Sequence, residues 1–389
     1  MDEAGRFVAD AVLGIDTIWG GDVMCASGTG RFIADSWFSD EPLPAAYTVP
    51  AADAVRKSGG LSVKQIDRDA IDRYLREVNL PASIDGLCRE AQRTGGTRGA
   101  YLSGLSKSLD VMYRLAMEVL GKGPAVEYAE CVMASTAKPP EQSDPRGKRD
   151  RLAELLGCKP DALLDAVNTW RRARNAPLAC VRGLGAAVIA EFDALSVRNL
   201  VPYLPPDLAI VPRANIEFLP IKEAWFSGSM NYVGRARNAN GSPQYEATYE
   251  INASLQISFP EFQQLVSHEV VPGHVSTFAY LQDLYVRGLL GFEATVLTMN
   301  TRFATLCEGI ANNAILIAHR VTEVDQLPDE DLQVGVLLAL LQDDAKNQSS
   351  WLTWTEQREK DDVAKTLRRD FLVSEERADK LSGAWGRHP

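Results

Sequence analysis

His268, Glu269 and His274 lie in the segment QLVSHEVVPGHVSTFAYLQ, Gln264 to Gln282, which holds two of the chain's four histidines. A metal ion that activates water near neutral pH needs about three protein donors, an open position and a nearby base. The usual helical arrangement puts two histidines four residues apart, so that both share one face. Here they are six apart, roughly 240° around a regular helix at about 100° per residue, and an unbroken helix cannot aim both at one ion. Pro272 changes this. It has no N–H to give the carbonyl of His268, and its ring crowds that carbonyl. Gly273 relaxes the backbone beside it. A break at 270–273 would swing His274 back towards His268 and leave Glu269 beside the first donor.

A third donor should come from a following helix. FATLCEGIANNAILIAH offers Glu308, an acidic residue in an apolar helical run, where a buried carboxylate needs a partner. Asn312 lies one turn further on the same face, where its amide could orient a ligating imidazole. The competing reading is structural: a helix that stops at Pro-Gly, with Glu308 paired to an arginine such as Arg302. His319, near the end of the same helix, suits a C-terminal cap, and His388 is the penultimate residue.

Further candidates surround this group. Tyr232 could donate a hydrogen bond to a developing oxyanion, and Arg235 and Arg237 could clamp a substrate carboxylate. Asp343 and Asn347 share a helical face in LLALLQDDAKNQSSW, with Asp344 beside them, and could support the donors or the substrate.

The elements that must position these residues are mostly helices. The fold class expected is mainly α, with a small β-hairpin or sheet next to the active-site helix. Residues 1–55 are mixed and Gly-rich and carry no clear element. Helical spacing begins at KQIDRDAIDRYLREVNL and continues through RGAYLSGLSKSLDVMYRLAMEVLGKG, which ends at a glycine suited to a C-cap. KPPEQSDPRGKR, 138–149, reads as a connector, with Asp144-Pro145 able to open the next helix. Between 205 and 255 the composition turns to proline and β-branched residues, and the Asn-Gly-Ser turn at 240–242 could join a hairpin. After Pro260 the pattern is helical over 260–285, 291–320, 329–355 and 357–382. The organisation expected is an N-terminal, mostly helical region, 1–140, and a metallohydrolase-like helical region, 141–389, packed as one compact unit.

A net charge of −11 argues against nucleic acid or an anionic membrane surface as a partner. The start of the chain lacks the basic-then-apolar pattern of a secretory signal, and no apolar run approaches the roughly 20 residues of a membrane span. Six scattered cysteines without a CxxC suit free thiols in a reducing compartment. The localisation expected is cytoplasmic.

The segments HEVVPGHVST and EGIANNA resemble those of the bacterial family designated domain of unknown function 885. Its members are similar to gluzincin-type metallopeptidases and mostly helical. The family carries HEAxPGHHLQ followed by a helix beginning EGWALY. SMNYVGRARN and YEATYEINAS stand where the family has a tyrosine-containing loop and an edge strand, and WTEQREKDDVAKTLRRDFLVSEERADKL is similar to its WTREQA…LSEAEA segment. The likeness spans about 225–385. It implies His268, His274 and Glu308 as metal ligands and Glu269 as the catalytic carboxylate. The chain departs from the pattern at Val275, where the family has a second histidine, and in EGIANNAI, which lacks the acidic residue closing the family's helix segment. Asn347 stands nearest to a late-helix histidine of the family, and SGAWGRHP ends where its members continue. From these departures the expectation is a shortened relative acting on a small molecule in a biosynthetic pathway.

The function expected is therefore metal-dependent hydrolysis of an amide or peptide-like bond in a small-molecule or short peptide-like substrate. Water on the metal would be activated by Glu269. The divalent ion expected is Zn2+, with Fe2+ or Mn2+ also suited to these donors. Two alternatives stay open: an iron or manganese enzyme of small-molecule metabolism using the same residues, and a non-catalytic scaffold with a vestigial motif. Nothing in the sequence excludes a homo-oligomer.

Overall fold

The computed structural model describes residues 1–20, 34, 37–209, 215–221, 228–233, 239, 246–252, 257–296 and 298–383. The chain is mainly helical. Its principal helices before the sheet are α1 (Glu3–Ile18), α2 (Pro50–Ser58), α3 (Arg68–Glu77), α4 (Leu80–Thr94), α5 (Gly96–Val119), α6 (Tyr128–Thr136), α7 (Arg146–Leu155), α8 (Leu163–Ala173) and α9 (Val181–Asn199). Three strands follow, β1 (Asn215–Ile221), β2 (Gly228–Val233) and β3 (Glu246–Asn252). The rest is α10 (Phe259–Glu269), α11 (His274–Val286), α12 (Arg302–Asn312), α13 (Ala314–His319), α14 (Glu330–Trp354), α15 (Lys360–Phe371) and α16 (Glu375–Gly383).

The strands pair in the order β1-β3-β2, β1 parallel and β2 antiparallel to β3, with Asn215 opposite Glu246 and Tyr232 opposite Ala247. β2 is an edge of this sheet and lies against both α10 and α11. The turn at 240–242 lies outside the described residues.

Part of the stretch left unassigned at 1–55 is helix. Asp2 opens α1 by accepting from the Gly5 N–H at 2.9 Å, and the apolar residues of α1 from Val8 to Ile18 are buried. Gly14 lets α4 come close, since a Cβ there would fall 2.1 Å from Leu80 Cδ2.

The buried apolar residues fall into three clusters. The first joins α1 to α6 with Phe292 and Val296. The second gathers Val188 and Phe192 of α9, Phe262 and Val266 of α10, Val275 of α11 and Val336 of α14. The third joins α7, α8, α15 and α16 to Leu337, Leu341 and Leu352 of α14. α14 thus contributes to two clusters from different faces, which explains its apolar residues on nearly every side. Its Gly335 would place a Cβ 2.6 Å from that of Pro260, so the glycine allows α14 to cross the start of α10 closely.

Several expected helices are shorter than their spacing suggests. The run 291–320 is not continuous: a short 3-10 turn occupies Phe292–Thr295, and α12 begins only at Arg302. Threonine side chains hydrogen-bond the local backbone, Thr295 Oγ1 to the Phe292 carbonyl at 2.8 Å and Thr301 Oγ1 to that of Thr298 at 2.9 Å. Such bonds compete with helix, and Thr301 then caps α12. The run 357–382 divides where Leu372 takes a left-handed conformation, φ 57°. The five described cysteines, Cys88, Cys131, Cys158, Cys180 and Cys307, are free thiols. Among the described residues no helix is long and apolar enough to cross a membrane.

Candidate metal centre

α10 is held firmly at its start. Ser258 and Glu261 form a reciprocal capping box, and Pro260 sits in the first turn. Arg171 of α8 pairs with Glu261 at 2.7 Å, both side chains largely buried. Near its end, the Gln264 amide donates to the Asn312 carbonyl at 3.3 Å and ties α10 to α12.

The helix stops at Glu269, and α11 starts at His274. The expected break at 270–273 is present, with a cis peptide bond between Val271 and Pro272. Its backbone groups are satisfied locally: the Gly273 N–H reaches the Ser267 carbonyl at 3.0 Å, and the Ser276 N–H and hydroxyl both reach the Val270 carbonyl at 3.2 Å. Any Cβ at 273 would lie 1.8 Å from the His268 carbonyl oxygen. The chain doubles back tightly enough to bring the two imidazoles together, centroids 4.8 Å apart and planes at 90°.

Glu308 reaches both rings from α12. Its Oε2 lies 3.4 Å from His268 Nε2 and its Oε1 lies 3.3 Å from His274 Nε2. Arg302 does not take up this carboxylate; its stem rests on Gly104, whose Cβ would meet Arg302 Cδ at 3.4 Å. His268 and His274 are 16% and 8% exposed and Glu308 is 44% exposed, so the centre opens on the carboxylate side.

These are long hydrogen bonds, beyond the roughly 2.7–2.9 Å of an ordinary charge-assisted one. Each is to a different oxygen, Oε2 for His268 and Oε1 for His274, so the carboxylate spans the two imidazole edges, and a cation between them could take donors from all three side chains. Two imidazole nitrogens and a carboxylate also suit a borderline cation. On one nitrogen the fit is poorer. Among the described residues His274 Nδ1 is buried without a hydrogen-bond partner, whereas a ligating imidazole normally donates from its second nitrogen.

Burial would push the Glu308 carboxyl up, but its hydrogen bonds to His268 and His274 outweigh this and hold it far below the usual carboxylate range. Burial likewise opposes charge on His268. The hydrogen bond to Glu308, with the charges of Glu269, Glu308 and Asp343, more than offsets it and raises the imidazole's pKa.

Glu269 is buried beside the same rings, its carboxylate within 4.8 Å of donor nitrogens of His268 and His274. Two carboxylates therefore flank the histidine pair: His268, Glu269 and His274 form a group that could hold a metal ion, and Glu308 lies against both Nε2 atoms.

The remaining candidates are placed as follows. Tyr232 is in β2, beside the histidine-bearing helices, and only its backbone is described. Arg235 and Arg237 lie outside the described residues. Asn312 contributes its carbonyl, to Gln264. Asp343 pairs with Lys346 at 2.7 Å and is near enough for its charge to act on His268. Asp344 pairs with Lys148 at 2.8 Å. The Asn347 amide donates to the Glu141 carbonyl and the Ser143 hydroxyl at 2.9 and 2.7 Å, fastening the connector to α14. Gln264 was not singled out from sequence, although it stands one turn before His268 on the same face, where a buried polar side chain invites a partner.

No protein-family model matches the chain, and no curated protein matches it. Among solved structures the chain is similar to a "putative lipoprotein" from Colwellia psychrerythraea, at a TM-score of 0.43 and 14% identity, covering 91% of this chain and 66% of that one.

Proposed function

We propose that this protein is a metal-dependent hydrolase of amide or peptide-like bonds, with His268, His274 and Glu308 holding a zinc ion and Glu269 as the base. The observation that carries the reading is the 3.3 and 3.4 Å spacing of Glu308 from the two Nε2 atoms. The likeness of HEVVPGHVST and EGIANNA to the domain-of-unknown-function 885 motifs supports it. A divalent ion there would polarise the scissile carbonyl and make a water a stronger acid. Glu269 takes the proton of the attacking water and passes it to the leaving nitrogen. β2, an edge strand against α10 and α11, supports a short extended substrate, whose backbone could add to the sheet.

The test is elemental mass spectrometry on protein purified without a histidine tag, beside His268→Ala and Glu308→Ala. Near-stoichiometric zinc in the parent, lost in both variants, is the expected result. A parent that binds no divalent metal after reconstitution would overturn the proposal.

A further inference from the structure

A cleft of about 390 Å³ opens between α7, the start of α8 and the end of α15, and none of its lining residues belongs to the metal centre. Arg149, Lys365, Arg368 and Arg369 surround it. Leu164 and the buried Leu372 give it an apolar base. Four cations around one hollow stand out in a chain whose net charge is −11.

The helix dipole accounts for part of this clustering, since Arg368 and Arg369 occupy the last turn of α15. It does not account for Lys365, a turn earlier, or for Arg149, which reaches over from α7 and donates to the Arg369 carbonyl. Their carboxylate partners are weak competitors. Lys365 meets Asp362 at 3.5 Å with both side chains well exposed, and Arg368 meets Glu375, itself 90% exposed, at 3.1 Å. Exposed pairs of this kind contribute about 0–1 kcal/mol, so a dianion can displace them. The opposite wall carries the same sign. A 3-10 turn, Pro160–Ala162, leads into α8 there, and neither Lys159 nor Ala162 supplies a side-chain cap. Uncapped N–H groups at a helix start favour negative charge. Asp161 also lines the cleft and offsets part of the positive field.

We propose that this cleft binds a phosphate monoester with an apolar, planar body, an aryl phosphate in the simplest case. The guanidinium groups and Lys365 hold the phosphate, and the body rests on Leu164 and Leu372. The volume is that of a small-molecule site, and a bare phosphate would leave most of it empty. The site is independent of the metal reading.

The test is isothermal titration calorimetry of the full chain with phenyl phosphate and with inorganic phosphate, at low salt. The parent should bind one phenyl phosphate, more tightly than inorganic phosphate. Lys365→Gln combined with Arg368→Gln should weaken phenyl phosphate about tenfold or more, the scale of one lost charge-assisted hydrogen bond. Asp161→Asn should tighten it, because a like charge is removed. Lys57→Gln, an equal loss of charge at an exposed position on α2, should change nothing, and neither should Glu308→Gln. No saturable binding by the parent, or equal affinity in the parent and the double variant, would overturn the site. Inorganic phosphate bound as tightly as phenyl phosphate would overturn the ligand class, and loss of binding in Glu308→Gln would place the phosphate at the histidines instead.

Discussion

Gly273 lies directly over the carbonyl of His268, so close that a Cβ at 273 would fall 1.8 Å from the His268 oxygen and 2.5 Å from that of Ser267. Both obstacles are backbone atoms, which cannot move aside as a flexible side chain can. The approach is what allows α11 to begin at His274 with its ring against His268. Replacing Gly273 by alanine should force the 270–273 turn open, at a cost of about 1–3 kcal/mol. Zinc uptake should fall with it, because the two Nε2 atoms no longer converge. Urea denaturation and metal content of Gly273→Ala check both. A variant that keeps the parent's zinc would show that the close turn is not what assembles the donors.

The metal-free centre should be most stable at mildly acidic pH. Glu308 has a depressed pKa in the fold, so its contribution is present above its unfolded value of 4.5 and is lost as pH falls through the lower folded value. His268 is raised, so its contribution is full below the unfolded value of 6.5 and is lost as pH rises through the higher folded one. Both describe one carboxylate–imidazole interaction, complete between roughly 4.5 and 6.5. Metal binding runs the other way, since it needs both imidazoles neutral and gains affinity as pH rises. Melting temperatures across pH, in chelator and in zinc, should therefore diverge towards alkaline pH. Glu308→Gln should flatten the chelated profile; an unchanged profile in that variant would refute the assignment.

The two carboxylates beside the histidines can be told apart. Glu269→Gln should retain zinc and lose hydrolysis by about 10²–10⁴-fold, the usual size of a general-base contribution. The rates would be compared on an N-acyl amino acid or dipeptide that the parent turns over. Loss of zinc from Glu269→Gln, with zinc retained in Glu308→Gln, would reverse the roles of the two residues.

The break between the histidines was legible because its cause is local: Pro272 cannot serve the His268 carbonyl, and Gly273 tolerates the close return. Glu308 was legible for a different reason, as a charge in an apolar run that had to find a partner. The start of α12 was not. Apolar spacing runs on through 291–301, and what stops the helix there is hydrogen bonding by Thr295 and Thr301 with nearby backbone, a choice that periodicity does not register. The mixed composition near the N-terminus hid α1 because its small residues matter through α4, far along the chain, where Gly14 meets Leu80. The link from Gln264 to Asn312 joins two helices whose crossing no single segment encodes.

Asn347 separates a structural part from a chemical one. Its amide is spent on the Glu141 carbonyl and the Ser143 hydroxyl, while the neighbouring Gln348 accepts from the Ser143 N–H at 3.0 Å. Together they pin the proline-rich connector onto α14. Asn347→Ala removes two hydrogen bonds at an exposed site, each worth about 0.5–1.5 kcal/mol at most, so stability should fall by about 1 kcal/mol. Limited proteolysis should then cut faster within 138–145, as expected for a segment whose backbone has lost its anchors. Zinc content should not change, because the amide reaches the connector and not an imidazole. If zinc fell with cleavage unaltered, Asn347 would belong to the support of the metal centre instead.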